Sequence, residues 1–379
     1  MDSKFLNFIL VVLACMVVFV VFSCLHTKKI IDADLQKRIG QMLVVGFRGT
    51  EAPPEASIVR AIRELNLGGV VLFDKDVPTQ GFPRNIVDPA QIKDLIRDLQ
   101  KASRTPLFVA VDAEGGRVNR LKPEYGFAAV PGHQELGAKN DAQETRRVSS
   151  TLAQELSEAG LNVNFAPVVD LNLNRANPVI GALGRSFSED EEIVVRHARA
   201  FIEGQHDYGI LTAIKHFPGH GSSREDSHLG LVDITATYQD KELIPFERLI
   251  REGAVDMVMT AHLLDRKVDP EHPVTLSRRF LGEILRGKLG FDGVVVSDDM
   301  HMGAITAHYG LGEALVLAIQ AGCDLLILSN NGNSYDERAP YQAVEAIFDA
   351  VRTGRIPASR IVEASDRIGR LKNRLKKEP

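Results

Sequence analysis

The chain of 379 residues has three cysteines, Cys15, Cys24 and Cys323. Two of them fall in the N-terminal segment and no C-x-x-C pair occurs, so neither a disulfide framework nor a paired-cysteine metal site organises the fold. No lysine- or arginine-rich run interleaved with aromatics is present and the formal net charge is −5, which excludes a nucleic-acid partner. No G-x-G-x-x-G follows the first apolar run, and this argues against a dinucleotide-binding open sheet. Internal repeats and linker-like stretches are also missing. What remains is 44% hydrophobic and 25% charged, the composition of an ordinary soluble domain once the N-terminus is set aside.

That N-terminus is distinct. Phe5 to Phe22 is a run of 18 residues without a charge. As a helix it would reach about 27 Å, close to the ~30 Å core of a bilayer. Val21-Phe22-Ser23-Cys24 resembles a bacterial lipoprotein box. Lys4 lies on one side of the run and Lys28 and Lys29 on the other, so flanking charge does not set an orientation. The expectation is a signal, lipoprotein or membrane-anchor helix over 1–29 followed by a single barrel over 30–379. The protein would be exported and held at a membrane, in a bacterial periplasm or at the cell surface, with Cys24 as the candidate lipid site.

From residue 41 onward, eight short apolar runs alternate with amphipathic stretches. The runs end at Phe47, Phe73, Asp112, Asp170, Phe217, His262, Asp299 and Ser329. Strands buried on both faces read as continuous Val/Ile/Leu runs, and alternation with helices makes the sheet parallel. Eight units predict a closed (β/α)8 TIM-type barrel; a doubly wound open sheet is the alternative. The tail ASDRIGRLKNRLKKEP reads as a final basic helix with its charges in solvent.

In such a barrel, chemistry sits at the C-terminal ends of the strands. Asp112, Asp170, Lys215 with His216, His262 and Asp298 all end apolar runs. One polar residue at a strand end makes a turn; five strands ending so on one rim make a pocket for a small polar ligand.

The segment KHFPGHGSSREDSH, from Lys215 to His228, allows three chemistries. His216 and His220 have metal-ligand spacing, but Pro218 and Gly219 prevent a helix from holding both on one face. Lys215 could form a Schiff base, but neighbouring carboxylates would hold it charged, so an ammonium that donates to hydroxyls is the better role. The third is glycoside hydrolysis, which needs a nucleophile on one side of the sugar and an acid on the other. Asp298 suits the first role. His228 suits the second, because a histidine gives and takes protons near neutrality, and Asp226 could orient its ring. His133, His197, His206 and His308 read as packed or surface residues, Glu114 and Arg117 as braces of a turn, and Asp299 as structural.

KHFPGHG followed by D-S-H, together with VDAEGGRVNR, NPVIGALGRSF and VVVSDDM, resembles glycoside hydrolase family 3, and in particular its single-domain bacterial β-N-acetylglucosaminidases. The resemblance runs from about residue 35 to 370. It implies an exo-acting, retaining β-N-acetylhexosaminidase that removes terminal N-acetylglucosamine from cell-wall or chitin-derived glycans. By that resemblance Asp298 is the nucleophile and His228 with Asp226 the acid/base pair. Asp112, Arg120, Arg185, Lys215 and His216 bind the sugar. IGALGRSF is longer before Arg185 than the shorter I-G-x-R-S-F form. Phosphorolysis, with phosphate in place of water, and a non-catalytic amino-sugar-binding barrel are the alternatives. The expected partner is a small carbohydrate, acted on by a monomer without cofactor or metal.

Overall fold

In the computed structural model, which describes residues 32–375, eight short strands close into one parallel ring. They are β1 (Leu43–Gly46), β2 (Gly69–Val71), β3 (Phe108–Val111), β4 (Val163–Asn164), β5 (Leu211–Phe217), β6 (Met257–Thr260), β7 (Val294–Asp299) and β8 (Leu325–Leu328). Each pairs with its neighbours in sequence, and β1 closes the ring by pairing with β8, Leu43 opposite Leu326 and Val45 opposite Leu328. All the residues of β1, β3, β6 and β8 are buried. The ring of helices covers their outer faces and side chains fill the interior, which is why the runs show no polar alternation. The (β/α)8 expectation therefore describes the fold. The expected signal or membrane-anchor helix over 1–29 lies outside the described residues.

Local sequence explains where the outer helices begin. Asp88, Asp141 and Asp190 each accept two backbone N–H groups at the starts of Pro89–Ala102, Ala142–Glu158 and Glu191–His206. Each such cap stabilises its helix by ~1 kcal/mol.

Two expectations change. The fourth run does not form one strand to Asp170. β4 stops at Asn164, and only Val168 makes a further bridge, to Lys215. Pro167 has no N–H to give to a ladder, and the chain reaches Asp170 irregularly. The basic tail is also only in part a solvated face, since Arg370 and Arg374 are exposed and others are not. Helix Ala358–Lys372 crosses the strand starts. Arg360 and Arg367 pair there with Asp324, Arg374 pairs with Asp256, and Lys372 donates to Gln41 Oε1 at 2.8 Å.

Candidate active site

A pocket of about 410 Å³ opens at the strand ends. Asp298, His228, Asp226, Asp112, Arg120, Arg185, Lys215 and His216 all line it.

Its floor is a charge network anchored on β5. Lys215 is 2% exposed and lies 2.9 Å from Asp112 and 2.7 Å from Glu114. Burial disfavours its ammonium, but the two carboxylates outweigh that and raise its pKa. A permanently charged Lys215 is a donor and not a Schiff-base nucleophile. Burial also works against ionisation of Glu114, yet Arg185 and Lys215 hold its carboxyl far below the usual range. Arg185 grips Glu114 with two N–H groups, at 2.8 and 2.7 Å, and gives a third to Val179 O. Lys215 and Arg120 similarly keep Asp112 ionised against its burial.

His216 is oriented from behind. Its Nδ1 lies 2.7 Å from Asp170 Oδ2, and its backbone N–H also points at that carboxylate. Burial, with Arg185 and Lys215 nearby, lowers its pKa to about 3. The ring is therefore neutral, with the proton on Nδ1 and an unprotonated Nε2 turned toward the Arg185 guanidinium, 3.3 Å away. Burial pushes the Asp170 carboxyl up to about 6, against the N–H donors of His216 and His220 that favour its anion.

Asp298 differs from these carboxylates. It is the penultimate residue of β7, and it forms no ion pair among the described residues. Its one internal partner is the backbone N–H of Asp299, 2.8 Å from Oδ1. Asp299 beside it also lines the pocket, but its carboxylate accepts from Ser329 and from the His301 backbone. His262 has both ring nitrogens engaged, by Thr275 Oγ1 at 2.8 Å and Asp299 O at 2.9 Å, so it is a wall residue.

The loop after β5 brings His228 and Asp226 to the pocket. His228 Nδ1 lies 2.7 Å from Asp226 Oδ1, and its side chain is 62% exposed. The first part of that loop is tightly packed. Gly219 has φ +136°, and a Cβ there would lie 2.6 Å from Glu242 Cβ. A Cβ on Gly221 would lie 1.6 Å from Leu171 O. These glycines permit close packing. Residues 219–223 are buried, and only the tip from Arg224 to Gly230 carries exposed positions. His216 and His220 have ring centroids 6.0 Å apart, and the nitrogens of His220 are engaged by Ser223 and Ser227.

Three contributions were not read from the sequence. Glu114 is the common partner of Arg185 and Lys215, while Arg117 only braces Ala182 O at 3.0 Å. Asp74 lines the pocket after β2 and pairs with Lys122 at 2.7 Å. Asn331 lines it after β8 and ties down Lys75 and Val77. The strand-end rule applied to LFDKD and LSNNG would have found the last two. His133, read as a packed residue, stacks on Phe187 at 4.1 Å and donates from Nδ1 to Arg185 O.

The model of the glycosyl hydrolase family 3 N-terminal domain matches residues 34–371. A β-hexosaminidase of Tolumonas auensis is 38% identical over 294 residues, which are 76% of this chain and 83% of that protein. Among solved structures, a glycoside hydrolase family 3 β-N-acetylglucosaminidase from Paenibacillus sp. superposes with a TM-score of 0.81 at 38% identity. That match covers 89% of this chain and 62% of the Paenibacillus one, so this chain spans less than two thirds of it. A β-N-acetylhexosaminidase from Beutenbergia cavernae matches with a TM-score of 0.79 at 30% identity, over 89% of this chain and 98% of its own.

Proposed function

The chain belongs to glycosyl hydrolase family 3, and on that premise we propose that it is a retaining exo-β-N-acetylhexosaminidase that hydrolyses terminal β-linked N-acetylglucosamine. The observation that carries this reading is the contrast among the pocket carboxylates. Asp112, Glu114 and Asp170 are held by cations or N–H donors, whereas Asp298 faces the same pocket without a cation, with a histidine–carboxylate pair lining it too.

The chemistry follows from the donors and acceptors. The Asp298 carboxylate attacks the anomeric carbon while protonated His228 gives its Nε2 proton to the departing oxygen. The Asp226 carboxylate stabilises the imidazolium before transfer and fixes the ring by accepting from Nδ1. Neutral His228 then takes a proton from water as that water attacks the glycosyl-Asp298 ester, which restores both residues. Arg120, Arg185 and Lys215 supply fixed donors to the sugar, and Asp112 accepts from its hydroxyls. Neutral His216, held by Asp170 through Nδ1 and turned to Arg185 through Nε2, lines the pocket beside them. Relatives named as β-hexosaminidases support water over phosphate as the second nucleophile.

Release of nitrophenol from 4-nitrophenyl β-N-acetylglucosaminide tests the reading. Turnover is expected in the wild type and not in Asp298→Ala. An inactive wild type, with amino sugar still bound, would support the binding-protein alternative. We also infer export with retention at a membrane from the uncharged run Phe5 to Phe22. Recovery of the native chain in the soluble fraction without detergent would refute that.

A further inference from the structure

His220 does not line the pocket, yet it is 2% exposed, packed between the floor of the site and the loop that carries Asp226 and His228. Its Nδ1 lies 2.7 Å from Ser223 Oγ and its Nε2 3.2 Å from Ser227 Oγ. Asn177 Nδ2 donates to Ser223 Oγ at 3.0 Å. Two arrangements of protons fit these contacts, with Asn177 donating to Ser223 in both. Either the Ser223 hydroxyl donates to His220 Nδ1 and Nε2–H donates to Ser227, or Nδ1–H donates to Ser223 and the Ser227 hydroxyl donates to Nε2; in both, His220 ties Ser223 to Ser227. Burial lowers the pKa of His220 to about 4, so near neutrality it has the single N–H this chain of bonds requires.

Ser227 separates Asp226 from His228. Its carbonyl accepts from Ala304 N at 3.3 Å, and the next carbonyl, of His228, accepts from Gly303 N at 3.1 Å. Beyond that the tip has little support. Among the described residues the His228 ring has one partner, Asp226, and Leu229 is 84% exposed. On its other side, His220 gives its backbone N–H to Asp170 Oδ1 at 2.8 Å. That same carboxylate holds His216.

We propose that His220 is a positioning residue for the acid/base pair. Through Ser227 it fixes how far His228 reaches over the pocket, and through Asp170 it shares an anchor with His216, which faces the sugar. This rests on the hexosaminidase reading. Proton transfer demands hydrogen-bond reach, so a loosened Ser227 costs acid catalysis specifically and leaves nucleophilic attack intact.

Leaving-group dependence in the full chain tests this. Ser227→Ala removes the partner of His220 Nε2 without stranding a charge, and His220→Gln keeps an amide able to hydrogen-bond near the Nε2 position. With methyl β-N-acetylglucosaminide, whose leaving oxygen needs a proton, Ser227→Ala should lower kcat/KM by ~10- to 100-fold. With the 2,4-dinitrophenyl glycoside, whose phenolate departs unprotonated, kcat/KM should change by less than ~2-fold. Its kcat should still fall, because hydrolysis of the ester needs His228 as base. Azide should restore that kcat: a C1–N bond forms as the C1–O bond to Asp298 breaks, which gives the β-glycosyl azide. His220→Gln should lie between Ser227→Ala and the wild type. Equal losses on both substrates, no loss on either, or no response to azide would overturn the proposal. A wild type inactive on the dinitrophenyl substrate is a separate outcome that overturns the hexosaminidase reading and this inference with it.

Discussion

At the strand starts, Asp324 has no exposed side-chain surface and receives four donors: Arg286, Arg360, Arg367 and the backbone N–H of Val295. At the strand ends, Asp298 receives one backbone N–H and no cation. Asp256 repeats the first pattern, held by His206, Thr212 and Arg374. The N-terminal rim is thus satisfied from within. The C-terminal rim is satisfied only in its lower tier, Glu114, Asp112 and Asp170, and stops short at the carboxylate that faces open space. A carboxylate kept for chemistry is one the fold has left without a partner; one kept for stability is fully surrounded.

Exchanging removals between the rims should expose this difference. The largest effect is expected from Asp298→Ala, a loss of kcat of ~10⁴-fold or more with the melting temperature unchanged. A large drop in melting temperature would show that Asp298 also supports the fold. Next comes Asp324→Ala, expected to cost about 3–5 kcal/mol in denaturant unfolding because three partly buried arginines lose their common buried partner. The fraction still folded should retain its kcat, and an inactive folded fraction would erase the distinction between the rims. Asp226→Asn should follow, with kcat/KM on a poor leaving group lowered by ~10²-fold and stability barely altered.

A pH dependence completes the set. Burial holds His133, His216 and His220 below the ordinary histidine value, at about 4, 3 and 4. Groups with depressed folded-state pKa values contribute stability that is complete above the unfolded value, ~6.5, and lost as pH falls toward the folded ones. Asp170, raised by burial to about 6, opposes part of this, since it takes up its proton earlier in the folded state. Three histidines outweigh one carboxyl, so melting temperature should fall between pH 6.5 and 4. The slope is at most ~1.4 kcal/mol per pH unit for each group, and it should be shallower in His133→Gln. A flat profile would mean that these histidines are not held neutral.

The barrel was legible because strands buried on both faces must be apolar throughout, and all eight runs showed it. The irregular exit from β4 was not, because VNFAPVVD is as apolar after Pro167 as before it. The pocket residues were legible where a charge directly ends an apolar run, as at Asp112 and Asp298. Glu114 was not, since its value lies in touching Arg185 and Lys215, which are far away in the chain. The basic tail misled because composition shows charges and not their partners. Yet those partners had a signal: Asp256 and Asp324 each stand immediately before an apolar run, the mirror image of the feature that marked the site.

The last helix carries a consequence for biosynthesis. Arg360, Arg367, Lys372 and Arg374 supply the missing partners of β6, β8 and the residue that leads into β1. A nascent chain still on the ribosome at residue 350 would hold buried aspartates with part of their countercharge not yet made, and a first strand whose partner β8 had only just been synthesised. Closure must wait until residues 360–374 have been made. A barrel that cannot close until its last helix has been made stays open through most of its synthesis.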